Sequence, residues 1–364
     1  MNIKMVFSKI IFGLLLVFFL SACTPVTPIA LVPLPTSTET NPEESVPVAE
    51  WITVYFSDPD SPSASTYRGG ADDELVAAID AARFSVDAAL YDLNLWSIRD
   101  ALIDAHERGV SVRLVTESDY LDEDEIQDVV DAGIPTIDDQ RESLMHNKFI
   151  VIDNYETWTG SMNMTVNGAY KNNNNLLRIA SPRLAENYLA EFEEMFSSQL
   201  FGDYIAARTP HPSLEVNGTR IETYFSPDDH TADRIIELIQ NARESIYFMA
   251  FSFTSDPIAD AMIGRANTGV DVAGVMETRQ YHSNTGGEFD TLTEAGIDVH
   301  LDGNPNNLHH KVIIIDSEIV ITGSYNFSRS AEERNDENTL IIHNPEVAAQ
   351  YLAEFERVYA IANK

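Results

Sequence analysis

The 364-residue chain carries one motif twice, at a constant spacing. The first copy is His146-Asn147-Lys148, Asp153 and Gly160-Ser161-Met162-Asn163, and the second is His309-His310-Lys311, Asp316 and Gly323-Ser324-Tyr325-Asn326. The His, Lys, Asp, Gly, Ser and Asn that the copies share all recur 163 residues later. A repeat that preserves reactive side chains at one offset predicts two half-sites that meet in one active site.

The duplication extends over most of the chain. The segment at 188–193 recurs letter for letter at 351–356, and the strand pattern at 51–57 has a partner at 221–226. Strands alternate with amphipathic helices in both copies, which predicts an α/β fold. We expect homologous halves at 51–203 and 218–364, packed about a pseudo-two-fold axis as a fused dimer would be, and therefore a monomer.

The N-terminus has the pattern of an export signal. Two lysines precede an apolar run at 10–20 that is short for a membrane-spanning helix. The run ends in Leu20-Ser21-Ala22-Cys23, which resembles the lipobox of bacterial lipoproteins, and Cys23 is the single cysteine. This predicts a signal peptide at 1–22, lipidation of Cys23, and an exported lipoprotein anchored to a membrane outside the cytoplasm. An ordinary cleaved signal or a retained N-terminal helix are the alternatives.

Residues 24–50 are rich in Pro, Thr, Ser and Glu and have no apolar periodicity. With the cysteine they form a predicted disordered tether at 23–50. The formal net charge of −35 gives no overall basic surface for nucleic acid and disfavours broad adhesion to anionic lipid. A local basic site on an acidic protein would still permit either substrate.

The motif residues suit attack on a phosphodiester. His146 and Lys148, like His309 and Lys311, are two apart on a strand and share a face. The lysines can stabilise the anionic phosphorus centre, one histidine can attack it, and the other can protonate the leaving oxygen. The turn that follows can donate hydrogen bonds to phosphate oxygens through Ser161, Asn163, Ser324 and Asn326, with a glycine that permits close approach of a ligand. This chemistry requires no metal or cofactor.

Both copies resemble the signature of the phospholipase D superfamily, which is His-x-Lys, four residues, Asp, then Gly-Ser-x-Asn. The resemblance extends from residue 51 to the C-terminus. It implies two mixed β-sheets flanked by helices, one active site at their interface, and a covalent phosphohistidine intermediate. It also implies that His146 is the nucleophile and His309 the acid.

The two copies differ at one position near the motifs. The family commonly has an acidic residue in a later strand that orients a histidine, and Glu337 is in this position in the second copy. Its counterpart 163 residues earlier is Asn174. A carboxylate favours the imidazolium form and an amide does not. The hypothesis is that Glu337 reaches across the interface to His146 as part of the catalytic set.

Three further interpretations concern the surroundings of the motifs. Asp153 and Asp316 end a buried strand and are expected to anchor a turn rather than to react. His310 is expected to face away from the site, because neighbouring strand residues point to opposite faces. The histidines outside the motifs have no metal-ligand spacing.

The leading functional hypothesis is a lipid-anchored phospholipase D that hydrolyses a phospholipid headgroup ester to phosphatidic acid and an alcohol. A metal-independent endonuclease of the same superfamily is the alternative, with nucleic acid as its partner. Cardiolipin-synthase-like transfer and a catalytically dead binding module rank below both. The sequence does not specify the headgroup.

Overall fold

A computed structural model describes residues 51–202 and 208–363. The predicted signal peptide, the lipidation site Cys23 and the tether lie outside the described residues. No helix among residues 51–202 and 208–363 is long and apolar enough to cross a membrane. Residues 49–364 form one compact unit.

The strands follow the predicted alternation with helices. They are β1 (Ile52–Phe56), β2 (Ser85–Leu90), β3 (Ser111–Thr116), β4 (Thr136–Asp138), β5 (Lys148–Ile152), β6 (Glu156–Gly160), β7 (Asn175–Ala180), β8 (Ser213–Val216), β9 (Thr219–Ser226), β10 (Ser245–Ala250), β11 (Asp271–Met276), β12 (Asp298–Leu301), β13 (Lys311–Ile315), β14 (Ile319–Gly323) and β15 (Glu337–His343).

The helices lie between these strands and after them. They are α1 (Ala71–Ala81), α2 (Trp96–Glu107), α3 (Asp124–Asp131), α4 (Val166–Tyr170), α5 (Pro182–Ser198), α6 (Thr231–Asn241), α7 (Asp256–Ala266), α8 (Thr278–Ser283), α9 (Phe289–Glu294), α10 (Arg329–Glu333) and α11 (Pro345–Ala362). Short 3₁₀ turns occur at Ala64–Thr66 and Ser118–Tyr120.

The two halves have the same sheet topology. The first sheet has the order β1-β7-β6-β5-β2-β3-β4, and the second has the equivalent order β12-β11-β10-β13-β14-β15-β9 with β8 added at its edge. The pairs β2–β3, β3–β4, β10–β11 and β11–β12 are parallel, and the others are antiparallel. Both sheets are therefore mixed and flanked by helices, as the family resemblance implies.

Strand β8 lies in the segment that the sequence presents as a connection. It forms an antiparallel hairpin with β9. Four residues between prolines and glycines carry too little apolar pattern to identify a strand. The hairpin is stable here because Leu214 is buried in the central core.

Three apolar cores stabilise the compact unit. The central core combines residues of both sheets with residues of α5 and α11, including Phe149, Tyr188, Val312 and Tyr351. The two outer cores each belong to one half. Because the central core draws on both copies, the halves share a buried interface, and the motifs meet at its edge.

Candidate active site

The two motif histidines are held by backbone hydrogen bonds from the opposite half. The amide of His146 donates to the carbonyl of Asp336 at 3.0 Å, and the amide of His309 donates to the carbonyl of Asn173 at 2.9 Å. Each histidine lies two residues before the first residue of a buried strand, β5 or β13. The interface between the halves thus forms the floor of a single site.

Glu337 crosses the interface to the first motif. Its Oε2 lies 2.7 Å from Nδ1 of His146, and it also accepts a hydrogen bond from Ser324 Oγ at 2.6 Å. The carboxyl side chain is fully buried. The sequence analysis predicts this contact between Glu337 and His146 across the interface. The catalytic role of Glu337 stays a prediction. A carboxylate here orients the ring and leaves Nε2 of His146 directed at the site.

His309 has an amide where His146 has a carboxylate. Its Nδ1 lies 2.9 Å from Oδ1 of Asn174 and 3.0 Å from the carbonyl oxygen of Ser161. A backbone carbonyl can only accept a hydrogen bond, so Nδ1 must carry the proton. The tautomer of His309 is therefore fixed, and Nε2 is the nitrogen that can exchange a proton with a substrate.

The lysines are almost completely buried and are supported from two sides. Lys148 Nζ donates to the carbonyl of His146 at 2.7 Å and lies 4.8 Å from the centre of the Tyr91 ring. Lys311 Nζ donates to the carbonyl of His309 at 2.8 Å and lies 4.7 Å from the centre of the Phe251 ring. Each ammonium keeps donor capacity for an anion, because it has three protons and donates one hydrogen bond.

Burial controls the electrostatics of the site. It lowers the pKa of both His146 and His309 well below the ordinary value, and the two neighbouring lysines lower it further. Burial also lowers the pKa of Lys148 to about 7 and that of Lys311 well below its usual range. Burial raises the pKa of Glu337 to about 8, although the two lysines oppose this. A bound phosphate anion would favour the charged forms of the lysines and of the acid histidine.

The two motif serines are not free to bind a ligand in this state. Ser161 Oγ donates to Asn174 Oδ1 at 2.9 Å, just as Ser324 Oγ donates to Glu337. A hydroxyl has one proton to donate. The hydroxyls therefore orient the groups that hold the histidines. Direct phosphate binding by Ser161 and Ser324 would require those bonds to break, and it stays a prediction.

The motif asparagines are better placed to contact a substrate. Oδ1 of Asn163 and Oδ1 of Asn326 are both buried, and neither has a hydrogen-bond partner among the described residues. Buried polar atoms usually have partners, so a matched pair without them indicates groups that a ligand or water satisfies. An amide oxygen accepts hydrogen bonds, so a phosphate oxygen would have to bind the amide nitrogen instead. The phosphate-binding role of these two amides stays a prediction.

The motif glycines serve the backbone rather than a ligand. A Cβ at Gly160 would lie 2.4 Å from the carbonyl oxygen of Asn175, and a Cβ at Gly323 would lie 2.2 Å from that of Asn338. Both glycines have positive φ, +148° and +146°. The group that approaches each glycine closely is therefore the backbone of the neighbouring strand.

The motif aspartates lie at the far ends of β5 and β13. Asp153 accepts hydrogen bonds from the amides of residues 83–85, and Asp316 accepts them from the amides of residues 243–245, at 2.6–3.2 Å. Partial burial opposes ionisation of Asp153, but these backbone donors prevail and lower its pKa. The bonds are of the anchoring kind that the sequence predicts.

His310 faces away from the site, as expected. Its Nε2 lies 3.0 Å from Oε1 of Glu354, and its Nδ1 lies 3.1 Å from Nδ2 of Asn175. Asn175 belongs to a network that the motif analysis missed. Asn175 Oδ1 accepts from Thr322 and Tyr351 of the other half, and Asn338 Oδ1 accepts from Thr159 and Tyr188. All these residues recur at the 163-residue offset, so the repeat did contain the signal.

Among residues 51–202 and 208–363, no group of three or more His, Cys, Asp or Glu side chains could hold a metal ion. The positive charge at the site comes from the two lysines. The site thus combines two imidazoles and two ammonium groups, a set suited to a tetrahedral anion.

Comparisons with known proteins agree with this geometry. A family model described as "Cardiolipin synthase, PLD-like domain" matches the chain twice, at residues 75–196 and 235–359. The chain belongs to the phospholipase D superfamily. It is an enzyme, a hydrolase acting on phosphodiester bonds.

Two curated relatives match over shorter lengths. The phospholipase D of Rickettsia bellii is 34% identical over 166 residues, which cover 43% of this chain and 81% of that protein. Human mitochondrial cardiolipin hydrolase is 34% identical over 126 residues, which cover 35% of this chain and 50% of that protein. The solved structure of phosphatidylserine synthase from Haemophilus influenzae has a TM-score of 0.62 at 13% identity and covers 86% of both chains. This last similarity shows a shared fold.

Proposed function

We propose that the protein is a phosphodiesterase of the phospholipase D type, which hydrolyses a phospholipid headgroup ester to phosphatidic acid and an alcohol. The observation that carries the proposal is the unequal support of two facing histidines. Glu337 lies 2.7 Å from Nδ1 of His146, whereas an amide lies 2.9 Å from Nδ1 of His309. A carboxylate stabilises the cation that forms when an imidazole attacks phosphorus.

In the first step, Nε2 of His146 attacks phosphorus and forms a P–N bond. The P–O bond to the headgroup breaks, and the leaving oxygen takes the proton from Nε2 of His309. Lys148 and Lys311 stabilise the equatorial phosphorane oxygens, with Asn163 and Asn326 as further donors. Glu337 accepts the hydrogen bond from Nδ1–H of His146 throughout, and its negative charge balances the positive charge on the phosphorylated ring.

In the second step, water enters from the side that the alcohol has left. Nε2 of His309 takes a proton from the water, the oxygen attacks phosphorus, and the P–N bond breaks. His146 returns to its neutral form and phosphatidic acid leaves. His309 ends with the proton that it held at the start, so the cycle consumes one water and one ester.

Three considerations favour a lipid as substrate. Relatives that match at 34% identity are a phospholipase D and a cardiolipin hydrolase. The formal charge of −35 opposes a long polyanion more than a single phosphodiester in a bilayer. We also propose a lipid anchor at Cys23, which would hold the exported enzyme at a membrane surface outside the cytoplasm.

A substrate panel tests the proposal. The protein is incubated with phosphatidylcholine, cardiolipin, and single-stranded and double-stranded DNA, with a chelator present. We expect choline release from phosphatidylcholine, and we expect His146→Ala and His309→Ala each to reduce it by about 10³-fold or more. DNA cleavage without lipid hydrolysis would instead identify the endonuclease alternative.

Acid quenching of a reaction with ³²P-labelled lipid tests which histidine attacks. We expect labelled phosphohistidine at position 146 and accumulation of the intermediate in His309→Ala when the leaving group is a good one, because that variant cannot activate water. Label at His309 would reverse the two roles.

A further inference from the structure

Five residues form a patch of aromatic rings and cations on the first half: Tyr67, Arg68, Trp96, Tyr170 and Lys171. The Arg68 guanidinium lies 5.2 Å from the centre of the Trp96 ring, and Lys171 Nζ lies 5.6 Å from the centre of the Tyr67 ring. The rings of Tyr67 and Tyr170 meet edge to face at 5.7 Å. Tyr67 is 39% exposed and Trp96 is 36% exposed. Large exposed rings stacked with cations are not needed for folding.

The patch lies near the end of the first sheet at which the active site is found. Trp96 comes five residues after Tyr91, whose ring centre is 4.7 Å from that of His146. Lys171 comes two residues before Asn173, whose carbonyl accepts from the amide of His309. At about 3.5 Å per residue, the backbone of Trp96 is within roughly 18 Å of Tyr91, and that of Lys171 is within roughly 7 Å of Asn173.

The patch is held in a fixed shape. Ser97, next to Trp96, donates from Oγ to the buried carboxylate of Asp72 at 2.8 Å. This bond ties the first turn of α1, directly after the β1–α1 connection at 57–70, to the first turn of α2. The side chain of Tyr170 is buried behind Tyr67. A preorganised surface loses little conformational entropy when it binds a partner.

The second half lacks an equivalent patch. The connection between β9 and α6 comprises only residues 227–230, against 57–70 in the first half. The counterparts of Trp96, Tyr170 and Lys171 are Asp256, Glu333 and Arg334. Positions that the shared fold requires are preserved in both copies. These aromatic residues are not preserved, so the fold does not account for their presence.

The charge of the patch is unusual for this chain. Lysine occurs at only three positions between residues 10 and 363, and Lys171 is the one outside the two motifs. The acidic residues of the same connection, Asp58 and Asp60, lie 3.9 Å from Arg357 rather than facing the patch. Asp73 accepts a hydrogen bond from the amide of Gly69 at 3.1 Å, so the patch is a local cationic and aromatic spot with acidic residues beside it.

We propose that this patch docks the enzyme on a zwitterionic phospholipid surface and presents the adjacent active site to the headgroups; the inference rests on the proposed lipid substrate. Tyr and Trp are favoured at the headgroup level of bilayers, where one end of the ring is apolar and the other polar. Arg and Lys can extend over such rings to individual lipid phosphates. A strongly anionic bilayer is disfavoured, because the rest of the surface repels it. Two cations are too few to retain a polynucleotide against that charge.

Vesicle binding by residues 49–364 tests the inference, since this unit contains all three apolar cores and omits the proposed anchor. Vesicles are made of phosphatidylcholine, and binding is measured by sedimentation. We expect the double variant Trp96→Ala/Tyr67→Ala to bind at least tenfold more weakly. Brominated phosphatidylcholine should quench the fluorescence of the wild type, and Trp96→Phe should lose most of that quenching.

Phe84→Ala is a matched control. Phe84 is 65% exposed and also lies beside a cation, with Arg83 at 5.3 Å from its ring, but it precedes β2 at the sheet edge opposite the active site. We expect vesicle binding to be unchanged. Loss of binding in Phe84→Ala with normal binding in the double variant would overturn the inference.

Two substrates separate failure of the docking surface from failure of the proposed function. Against bis(p-nitrophenyl) phosphate, which is soluble, the double variant should match the wild type, and against phosphatidylcholine vesicles it should be at least tenfold slower. Equal rates on vesicles would reject the docking surface and retain the lipase. Patch-dependent vesicle binding without lipid hydrolysis would retain the surface and reject the lipase. Patch-dependent DNA cleavage without vesicle binding would identify a nucleic-acid contact and overturn the inference.

Discussion

At the scale of single residues, the two copies differ in the group that contacts each motif histidine. Glu337 and Asn174 occupy equivalent positions and contact the histidine of the opposite half. The first is a carboxylate whose pKa burial raises to about 8, and the second is an amide that does not titrate. In the proposed mechanism, this difference gives the two histidines different tasks.

Replacement of Glu337 should shift the pH profile as well as the rate. In the wild type the attacking form has an ionised Glu337 and a neutral His146, so kcat/KM rises with pH as this pair loses its last proton, in the neutral to mildly alkaline range. In Glu337→Gln the rise of kcat/KM with pH depends on His146 alone. Burial holds the pKa of His146 well below its ordinary value, so the rise moves to lower pH. The plateau should fall by about 100-fold or more.

Glu354→Gln is the matched control for this measurement. Glu354 is also buried and also lies 3.0 Å from a histidine nitrogen, but its partner His310 faces away from the site. Its pH–rate profile should match that of the wild type. If kcat/KM of Glu337→Gln rises over the same pH range as that of the wild type, the carboxylate and His146 do not titrate as a pair.

At the scale of elements, two pseudo-symmetric asparagines join the sheets. Asn338 at the start of β15 accepts from Thr159 at 2.7 Å and from Tyr188 at 3.2 Å, and it donates to Asn147 at 2.9 Å. All four side chains are fully buried. A satisfied buried network of this kind specifies one arrangement of the two halves.

Removal of this asparagine should destabilise the protein strongly. Asn338→Leu leaves three buried polar groups without a partner, each at a cost of about 1–3 kcal/mol. We expect the free energy of unfolding in urea to fall by about 3 kcal/mol or more. Asn241→Leu, at an exposed position in α6, should change it by less than about 0.5 kcal/mol. An unfolding midpoint for Asn338→Leu equal to that of the wild type would show that the network does not stabilise the interface.

The same elements show how far the sequence leads. Hydrophobic alternation located β1 within one residue at each end, and the offset comparison paired Glu337 with Asn174. Strand β8 was missed because its stability comes from burial of Leu214 in a core assembled from distant segments. The hydrogen bonds of Ser161 and Ser324 to Asn174 and Glu337 were not foreseen for a related reason, and their direct binding of phosphate stays a prediction. Motif spacing predicts that a hydroxyl lies at the site, but only the packed structure shows which group accepts its hydrogen bond.

At the scale of the whole molecule, the halves behave as a dimer fused into one chain. The central core includes residues of both sheets, and each motif histidine takes its backbone and side-chain partners from the other half. The compact unit therefore spans both copies. Folding and the proposed catalysis therefore share one interface.

Separation of the halves should be reversible by coexpression. Fragments 49–202 and 203–364, produced together, should copurify as a heterodimer with phosphodiesterase activity, because association buries the central core of both. Size-exclusion chromatography with light scattering measures the assembly. The same pair with His309→Ala is the inactive control. Two soluble, monomeric fragments would show that neither half needs the other to cover its apolar face.

The pseudo-two-fold axis has a consequence for the direction in which a substrate binds. A phosphodiester has two ester arms, and a perfectly symmetric site would accept it in either orientation and cleave either bond. In the proposed mechanism Glu337 removes this ambiguity, because its contact with His146 makes one side of the phosphorus the side of attack and the other the side of departure. The regiochemistry of the product, phosphatidic acid rather than diacylglycerol, would then follow from one carboxylate that the first copy of the motif lacks.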